Sequence, residues 1–409
     1  MRPASSTGYS MGLHTRSGGY STRGVQRRIP ILTFLSVNIL LVNWQDLANP
    51  HAGGAEIHLF EIFTRLAARG HQVRMVCSGW SGAARTARIE GIDIERVGGR
   101  DSFAVLGRPA VHRAIAARRP DVLVEDINKL PLFLAAGTKL PFCAIVPHLF
   151  GTTAFAEAAW PIAAAVWAAE RPLPWAYRRA EFHAISESTR DDLVARGVRR
   201  ERVRVIHPGV DSKRFTPGPP GRRSGVPSFL YVGRLKRYKG IAFAIQALAL
   251  ARAQRPDLRL QIAGTGDHRP ELEALVSKLG LDRAVTFHGF VSEERKIDLM
   301  RSAWANVFPS PKEGWGITVI EAAACATPSL ASDSPGLRDS VCHGETGFLV
   351  PHGDIRALSA RMIELADAPH LVARLGHRAR QFAEGLTWER TAGETEQQLK
   401  DIVEKSAAS

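Results

Sequence analysis

From Asn38 onward, short apolar runs rich in β-formers alternate with helical stretches, and the alternation runs through the chain twice. The strand candidates of the first run are NILLVNW, QVRMVCS, IDIERVG, VLVED, FCAIVPH, EFHAIS and RVRVIHPG. Helical stretches lie between them. One, EIHLFEIFTRLAARG, carries apolar residues at helical spacing and stops at Gly70. The segment DSKRFTPGPPGRRSGVPS then interrupts the pattern with Pro, Gly and Arg and has no period, as linkers do. Alternation restarts with SFLYVGRL, LRLQIAG, AVTFHGF, WANVFPS, TPSLASD and GFLV. Strand–helix alternation implies a parallel sheet covered by helices on both faces. The expected fold is therefore α/β, with two Rossmann-like doubly wound domains facing an interdomain cleft. A basic extension without fixed structure is expected over 1–36, a first domain over 37–210, a linker over 211–227 and a second domain over 228–387. A closing helix over 388–409 is expected to cross back to the first domain.

The 409 residues exceed one ordinary core, and 45% hydrophobic with 23% charged residues is a globular composition. The net charge of +14 points to anionic partners without choosing among nucleotides, acidic lipid surfaces and nucleic acid. Cys77, Cys143, Cys325 and Cys342 are far apart and form no C-x-x-C pair, which fits buried thiols in a reducing compartment. The run RRIPILTFLSVNILLVNW imitates a signal or anchor, but it contains Asn38 and Asn43 and no small-residue cleavage site follows. It reads better as a first strand. Because Val37 stands directly before that strand, initiation at a valine-type codon there is a further expectation, which would leave the first 36 residues out of the native product.

Doubly wound sheets bind ligands beyond the carboxyl ends of their strands, so chemistry belongs in the loops that follow strands. In EGWGITVIE, Glu313 falls in such a loop and Glu321 in the first turn of a helix. Gly314 and Gly316 between them let a backbone approach a ligand, and the helix amides from Ile317 through Thr318 to Ile320 would face a phosphate. A plainer reading makes Thr318 and Glu321 a capping box. In YVGRLKRYKG, Arg234 and Lys239 follow a strand end and suit a diphosphate, a solvated basic loop being the alternative. LRLQIAGTGD sets Gly264 and Gly266 after a strand; Arg269 in place of the last glycine weakens any dinucleotide fingerprint, leaving a close-approach loop. Gly53 and Gly54 precede a long helix and offer amides to a phosphate or sugar, or form an ordinary loop-to-helix junction. His148 follows another strand, and a lone histidine is as readily structural. No H-E-x-x-H, G-x-S-x-G or Walker pattern occurs, and no metal site is expected.

Taken together these residues resemble the retaining glycosyltransferases of the GT-B fold, specifically glycosyltransferase family four. The resemblance runs from about Asn38 to the final helix. It is carried by the Glu313–Glu321 pair, VGRLKRYKG, AGGAE, GETGFLVPHGD, HAISESTRDDL and HPGVDSKRF. It implies an acceptor-side first domain and a nucleotide-sugar donor domain second. Arg234 and Lys239 would neutralise the diphosphate, Glu321 would bond the ribose and Glu313 the donor sugar's hydroxyls. Amides near Gly316 and Thr318 would meet the diphosphate, and Phe290 and Val291 would frame the base. Gly53 and Gly54 would touch the donor from the opposite domain, with His148 beside the reacting sugar. The implied reaction moves a hexose-type sugar with retention and no metal or other cofactor, in glycan, glycolipid or cell-envelope polysaccharide biosynthesis. Partners would be a nucleotide-sugar donor and a glycan, lipid or small-molecule acceptor, not nucleic acid. Where the family usually has Gly, this chain has Ala326, expected to tighten helix packing.

HRAIAARRP, residues 112–120, places Arg113, Arg118 and Arg119 around an apolar stripe. It is either a solvated face or a helix resting on an anionic leaflet, so the expected location is cytoplasmic with peripheral contact at the inner face of the cell membrane. Rival readings are a nicotinamide-dependent oxidoreductase and a non-catalytic nucleotide-sugar binding protein. The start-site expectation is decided by the intact mass of natively expressed protein: a chain beginning near residue 37 supports it, and one that includes Met1 removes it.

Overall fold

The computed structural model describes residues 36–151, 155, 160–219 and 221–408. The expected N-terminal extension, save Ser36, lies outside the described residues. The first sheet has eight strands: β1 (Asn38–Val42), β2 (Gln72–Cys77), β3 (Thr86–Ile89), β4 (Ile92–Arg96), β5 (Val122–Asp126), β6 (Phe142–Val146), β7 (Glu181–Ala184) and β8 (Val203–Val205). Their spatial order is β3-β4-β2-β1-β5-β6-β7-β8. The second sheet has six: β9 (Ser228–Val232), β10 (Arg259–Ala263), β11 (Val285–Gly289), β12 (Ala305–Phe308), β13 (Ser329–Ser332) and β14 (Gly347–Val350). Their order is β11-β10-β9-β12-β13-β14. Every pairing is parallel except β3 with β4.

The sequence explains these strands directly. A strand covered on both faces reads as a continuous apolar run rather than an alternating one, and Ile39, Leu40, Leu41 and Val42 are all at most 1% exposed. Even-face residues Val122 and Val124 of β5 join the core beneath the Gly54–Ala68 helix, while Leu123 joins the core on the opposite face. The strand that sequence reading misses is β3. Its residues are half-exposed on a sheet edge, and it is made by a tight hairpin at Glu90 and Gly91, both at positive φ (46° and 86°). Such a turn twists as an antiparallel pair requires.

Between β8 and β9 the described residues contain no strand or helix, only a bridge between Val210 and Thr387. The closing helix, Trp388–Ala407, then returns to the first sheet. Its Leu399 and Ile402 enter the core under the Gly54–Ala68 helix. Each such burial contributes on the order of 1.5–3 kcal/mol. Polar contacts fix its register: Arg69 with Glu396 at 2.6 Å, Arg204 with Asp401 at 2.8 Å, and Gln398 Nε2 donating to the Phe182 carbonyl at 3.0 Å. All four cysteines are unpaired, three of them buried and Cys342 half-buried.

At Ala326 the structure adds a backbone term to the packing expected of its methyl group. The residue has φ of 58°, in the left-handed region, where it ends the Ile317–Ala324 helix after Cys325. What a glycine supplies here is backbone freedom, and the methyl group costs about 1–2 kcal/mol in that conformation. Ala326→Gly is therefore expected to stabilise the protein by about 1 kcal/mol, read as a higher denaturant midpoint with unchanged slope. A lower midpoint would show that methyl packing outweighs the backbone term.

Candidate active site

Each sheet has one topological switch point, the crevice where neighbouring strands connect outward in opposite directions. In the second sheet it lies between β9 and β12, and the loops leaving these strands carry YVGRLKRYKG and PSPKEGWG. Lys239, in a short turn after β9, donates from Nζ to Glu313 Oε1 at 2.6 Å. Only 12% and 13% of the two side chains are exposed, so the pair is largely withdrawn from water. Burial lowers the Lys239 pKa and Glu313 raises it, with the net result above the ordinary value. The ammonium is thus held charged. Arg234 stands exposed in the same loop, and Tyr231 Oη donates to its carbonyl at 3.0 Å.

The Ile317–Ala324 helix begins at Gly316, whose φ of 93° turns the loop into the helix axis. The capping-box reading of Thr318 and Glu321 does not hold. The N-cap is Gly316, and Val319 and Ile320 N–H donate to its carbonyl at 2.9 and 3.4 Å. The Ile317 and Thr318 N–H groups have no acceptor among the described residues, as the first amides of a helix do when nothing caps them. Glu321 is instead gripped by Lys296 Nζ at 2.9 and 3.0 Å, one bond to each oxygen. Lys296 also pairs with Glu293 at 2.6 Å. Burial raises the Glu321 pKa while Lys296 lowers it, the net shift being upward.

Two glycine assignments change meaning. A methyl group on Gly314 would lie 2.7 Å from the Pro147 carbonyl oxygen, so this glycine admits the backbone of the first domain rather than a ligand. One on Gly264 would lie 1.9 Å from the Gly233 carbonyl oxygen. That glycine lets the loops after β9 and β10 lie in contact, which shapes the Arg234 turn. Phe290 is 85% exposed just beyond β11, and Val291 is half-buried against the core.

The first domain meets these loops directly. A methyl group at Gly53 would come within 4.0 Å of Arg234 Cζ, and one at Gly54 within 3.5 Å of Ile317 Cδ1. The Gly53 N–H donates to Glu56 Oε2 at 2.7 Å, fixing the start of the Gly54–Ala68 helix. His148 lies half-buried after β6, its ring edge-on to Phe150 at 5.0 Å. Burial is the largest influence on its pKa, now about 4; Glu313 works against that shift, while Lys312, Lys239 and Arg234 reinforce it. The imidazole is neutral at ordinary pH. Beside these, Lys312 pairs with Asp192 at 3.1 Å, Ser188 N–H donates to Asp339 at 3.1 Å, and Trp315 stacks on His207 at 4.5 Å. Each contact joins the first domain or its exit strand to the second.

The structure therefore gathers Arg234, Lys239, Glu313, Ile317, Gly53, Gly54 and His148 about one crevice. Glu321 sits beside it, one helical turn into the helix that begins there. Sequence reading missed Lys296, Glu56, Lys312 and the run of buried Asp126, buried Asn128 and half-buried Lys129 at the end of β5. Glu56 had a local signal, since it stands three residues after the N-cap Gly53. The position of Asp126 to Lys129 directly after a strand was a signal too. Lys296 had none, because its partner is 25 residues away.

Two doubly wound sheets whose switch-point loops meet across one crevice make the two-domain arrangement called GT-B. Residues 212–382 match the family described as Glycosyl transferases group 1, and residues 52–214 match Glycosyltransferase Family 4. The chain is 31% identical to D-inositol 3-phosphate glycosyltransferase of Streptomyces avermitilis, over 95% of this chain and 91% of that protein. It is 27% identical to glycogen synthase of Mycobacterium tuberculosis, over 88% of this chain and 94% of that one. The fold is shared with sucrose-phosphate synthase of Thermosynechococcus elongatus (TM-score 0.76, 24% identity, 91% of this chain and 99% of that one). It is shared also with Anabaena HepE, whose structure holds UDP and glucose (TM-score 0.73, 19% identity, 89% of this chain and 100% of that one). The chain belongs to glycosyltransferase family four, the group 1 glycosyl transferases. That membership removes the nicotinamide oxidoreductase reading.

Proposed function

We propose that the protein transfers a hexose-type sugar from a nucleotide-diphosphate sugar to an acceptor hydroxyl, with retention at the anomeric carbon and without a metal. The observation that carries this reading is the meeting of Arg234, the Lys239–Glu313 pair and the uncapped Ile317 and Thr318 amides with Gly53, Gly54 and His148. Two cations and a helix N-terminus supply countercharge for a departing diphosphate. In the proposed step the acceptor oxygen bonds to the anomeric carbon on the face the diphosphate leaves. The carbon–oxygen bond to the diphosphate breaks with its electron pair, and the acceptor proton passes to a diphosphate oxygen. Glu313, already bonded to Lys239, keeps acceptor capacity for donor-sugar hydroxyls. Glu321, oriented by Lys296, would take the ribose, and exposed Phe290 with Val291 would border the base. Gly264 contributes by shaping the Arg234 turn. Neutral His148 offers a hydrogen bond to the reacting sugar.

The UDP in the Anabaena neighbour supports a uridine donor. The names of the two relatives support a polyol or glucan acceptor for a glycan, glycolipid or cell-envelope polysaccharide. Thermal melts against UDP, GDP, ADP, their common sugar conjugates and NAD test the donor. A ligand at 100 times its Kd adds about 2.7 kcal/mol of stability. Protection by one nucleotide family, lost in Arg234→Ala, is expected, with turnover down on the order of 10²- to 10³-fold in that variant. Protection by NAD alone, or equal turnover in the variant, would overturn the assignment.

We also place the protein in the cytoplasm with peripheral contact at the inner membrane face, and here the structure revises the sequence reading. The relevant helix is Phe103–Ala117, with Arg118 and Arg119 beyond its end. Ala114 and Ile115 pack against the core, so the apolar stripe of residues 112–120 faces inward. Exposed Arg113, Arg118 and Arg119 remain for an anionic surface, together with Val105 and Leu106, which are 74% and 43% exposed. Among the described residues no helix is long and apolar enough to cross a membrane. Co-sedimentation with anionic vesicles at low salt, falling as salt rises, is the expected result; no binding at low salt removes the proposal.

A further inference from the structure

The Trp160–Glu170 helix is apolar from its first residue through Ala169, on every side and not along one stripe. A helix of that kind belongs inside a protein core or a membrane. Here only Ala163 and Glu170 are buried, and no residue of the helix joins any hydrophobic core among the described residues. Trp160 is 73% exposed and Ile162 61%. The short Leu173–Ala176 helix that follows sends Leu173 and Ala176 into the core of the first domain but leaves Trp175 68% exposed. Large apolar side chains grouped in this way on a surface mark a contact with something outside the chain.

The last residue of the helix ties it to the crevice. Glu170 accepts from the Phe150 N–H at 2.6 Å and the Gly151 N–H at 2.8 Å, and it pairs with Arg196 at 3.1 Å. Phe150 in turn packs edge-on against the ring of His148. From this anchor the helix runs back ten residues to Trp160, about 15 Å at the helical rise.

The charges around the apolar face select its partner. Between residues 160 and 180 the one carboxylate is Glu170, which is turned inward, whereas Arg171, Arg178 and Arg179 are exposed. The Arg171 guanidinium lies 3.8 Å over the Trp167 ring, and that of Arg178 lies 5.7 Å from the Trp175 ring. Tryptophan beside arginine suits the headgroup layer of a bilayer, where the ring enters the acyl boundary and the cation meets phosphate. A second copy of the chain is a poorer match. A two-fold contact sets one patch against itself, and these arginines would then face one another with no free carboxylate of the patch between them.

We propose that the Trp160–Glu170 helix, together with Trp175, is a docking element that inserts its apolar side chains into the interfacial layer of an anionic bilayer. The inference deepens the membrane reading above, which used the Phe103–Ala117 helix alone, by naming a separate inserted surface. It brings the leaflet to the His148 side of the crevice.

The full chain mixed with phosphatidylglycerol or phosphatidylcholine vesicles, with and without brominated acyl chains, tests this. Trp44, Trp304, Trp315 and Trp388 are buried, so quenching by bromine reports chiefly on Trp160, Trp167 and Trp175. Quenching in brominated phosphatidylglycerol, with weaker binding to phosphatidylcholine, is expected. Trp160→Ser and Ile162→Ser should each weaken binding about 10-fold, as loss of a large apolar contact does. Their melting temperatures should stay near that of the wild type, because both side chains are exposed. Trp160→Phe keeps the apolar contact and should bind normally with less quenching. Binding that vanishes when Arg113, Arg118 and Arg119 are all changed to Gln, without bromine quenching and unaltered in Trp160→Ser and Ile162→Ser, overturns this inference and leaves the earlier contact standing. The reverse pattern supports insertion here and removes the earlier contact. Binding to no vesicle overturns both, while the nucleotide melts still judge the transfer reading. A vesicle-free dimer that Ile162→Ser dissociates assigns the helix to a second copy and overturns the proposal.

Discussion

The ion pair between Lys239 and Glu313 ties the loop after β9 to the loop after β12, the two loops that make the switch-point crevice of the second sheet. Removing either partner would leave the other charge largely buried and alone, which is far more costly than the pair is stabilising. The pair therefore acts chiefly by fixing geometry. Glu313 is held on one side by Lys239 and on the other by the hydrogen bond from its own N–H to the Pro335 carbonyl at 3.1 Å. Gly314 and Gly316 then carry the chain past the Pro147 carbonyl and into the helix from Ile317. A helix end with uncapped amides is thereby aimed across the crevice at Gly54.

The two domains meet through groups that surround this crevice. Lys312 with Asp192, Ser188 with Asp339 and Trp315 with His207 lie next to Glu313 in sequence or space. The Trp388–Ala407 helix makes a separate connection, since the chain leaves the second domain and completes a core layer of the first. The same constraints keep His148 neutral. Burial and three nearby cations outweigh the single carboxylate that favours its charged form. As pH falls from the ordinary imidazole value of 6.5 to about 4, the unfolded chain takes up a proton that the folded imidazole does not, so the folded state loses stability across that window and no further below it.

Two carboxyl groups at one strand end show how local sequence can be ambiguous. Glu125 is a structural residue with three donors, and Asp126 has none, although both are acidic, adjacent and buried. Only the identity of the layer each one faces separates them. Glu321 makes the same point. Its spacing from Thr318 reads as a cap, yet its partner is Lys296 on another helix.

What the sequence determined by itself was the doubly wound α/β architecture, because apolar runs with a strand's period or a helix's period depend on neighbours a few residues away. It pointed also to the loops that follow strand ends, and hence to Arg234, Lys239, Glu313, His148, Gly53 and Gly54 as candidates. Tertiary structure decided what each residue touches. The glycine at 264 answers to the Gly233 carbonyl, the glycine at 314 to Pro147, and the left-handed turn at Ala326 to the end of its helix. It decided too that the stripe around Ile115 faces the core, and that the Asp126 carboxyl oxygens, the Asn128 Oδ1 and the Lys129 ammonium have no hydrogen-bond partner among the described residues. Periodicity is a local property that a linear reading can measure. Hydrogen bonding, burial and charge pairing join residues far apart in the chain, and they acquire values only once the sheets have brought those residues together.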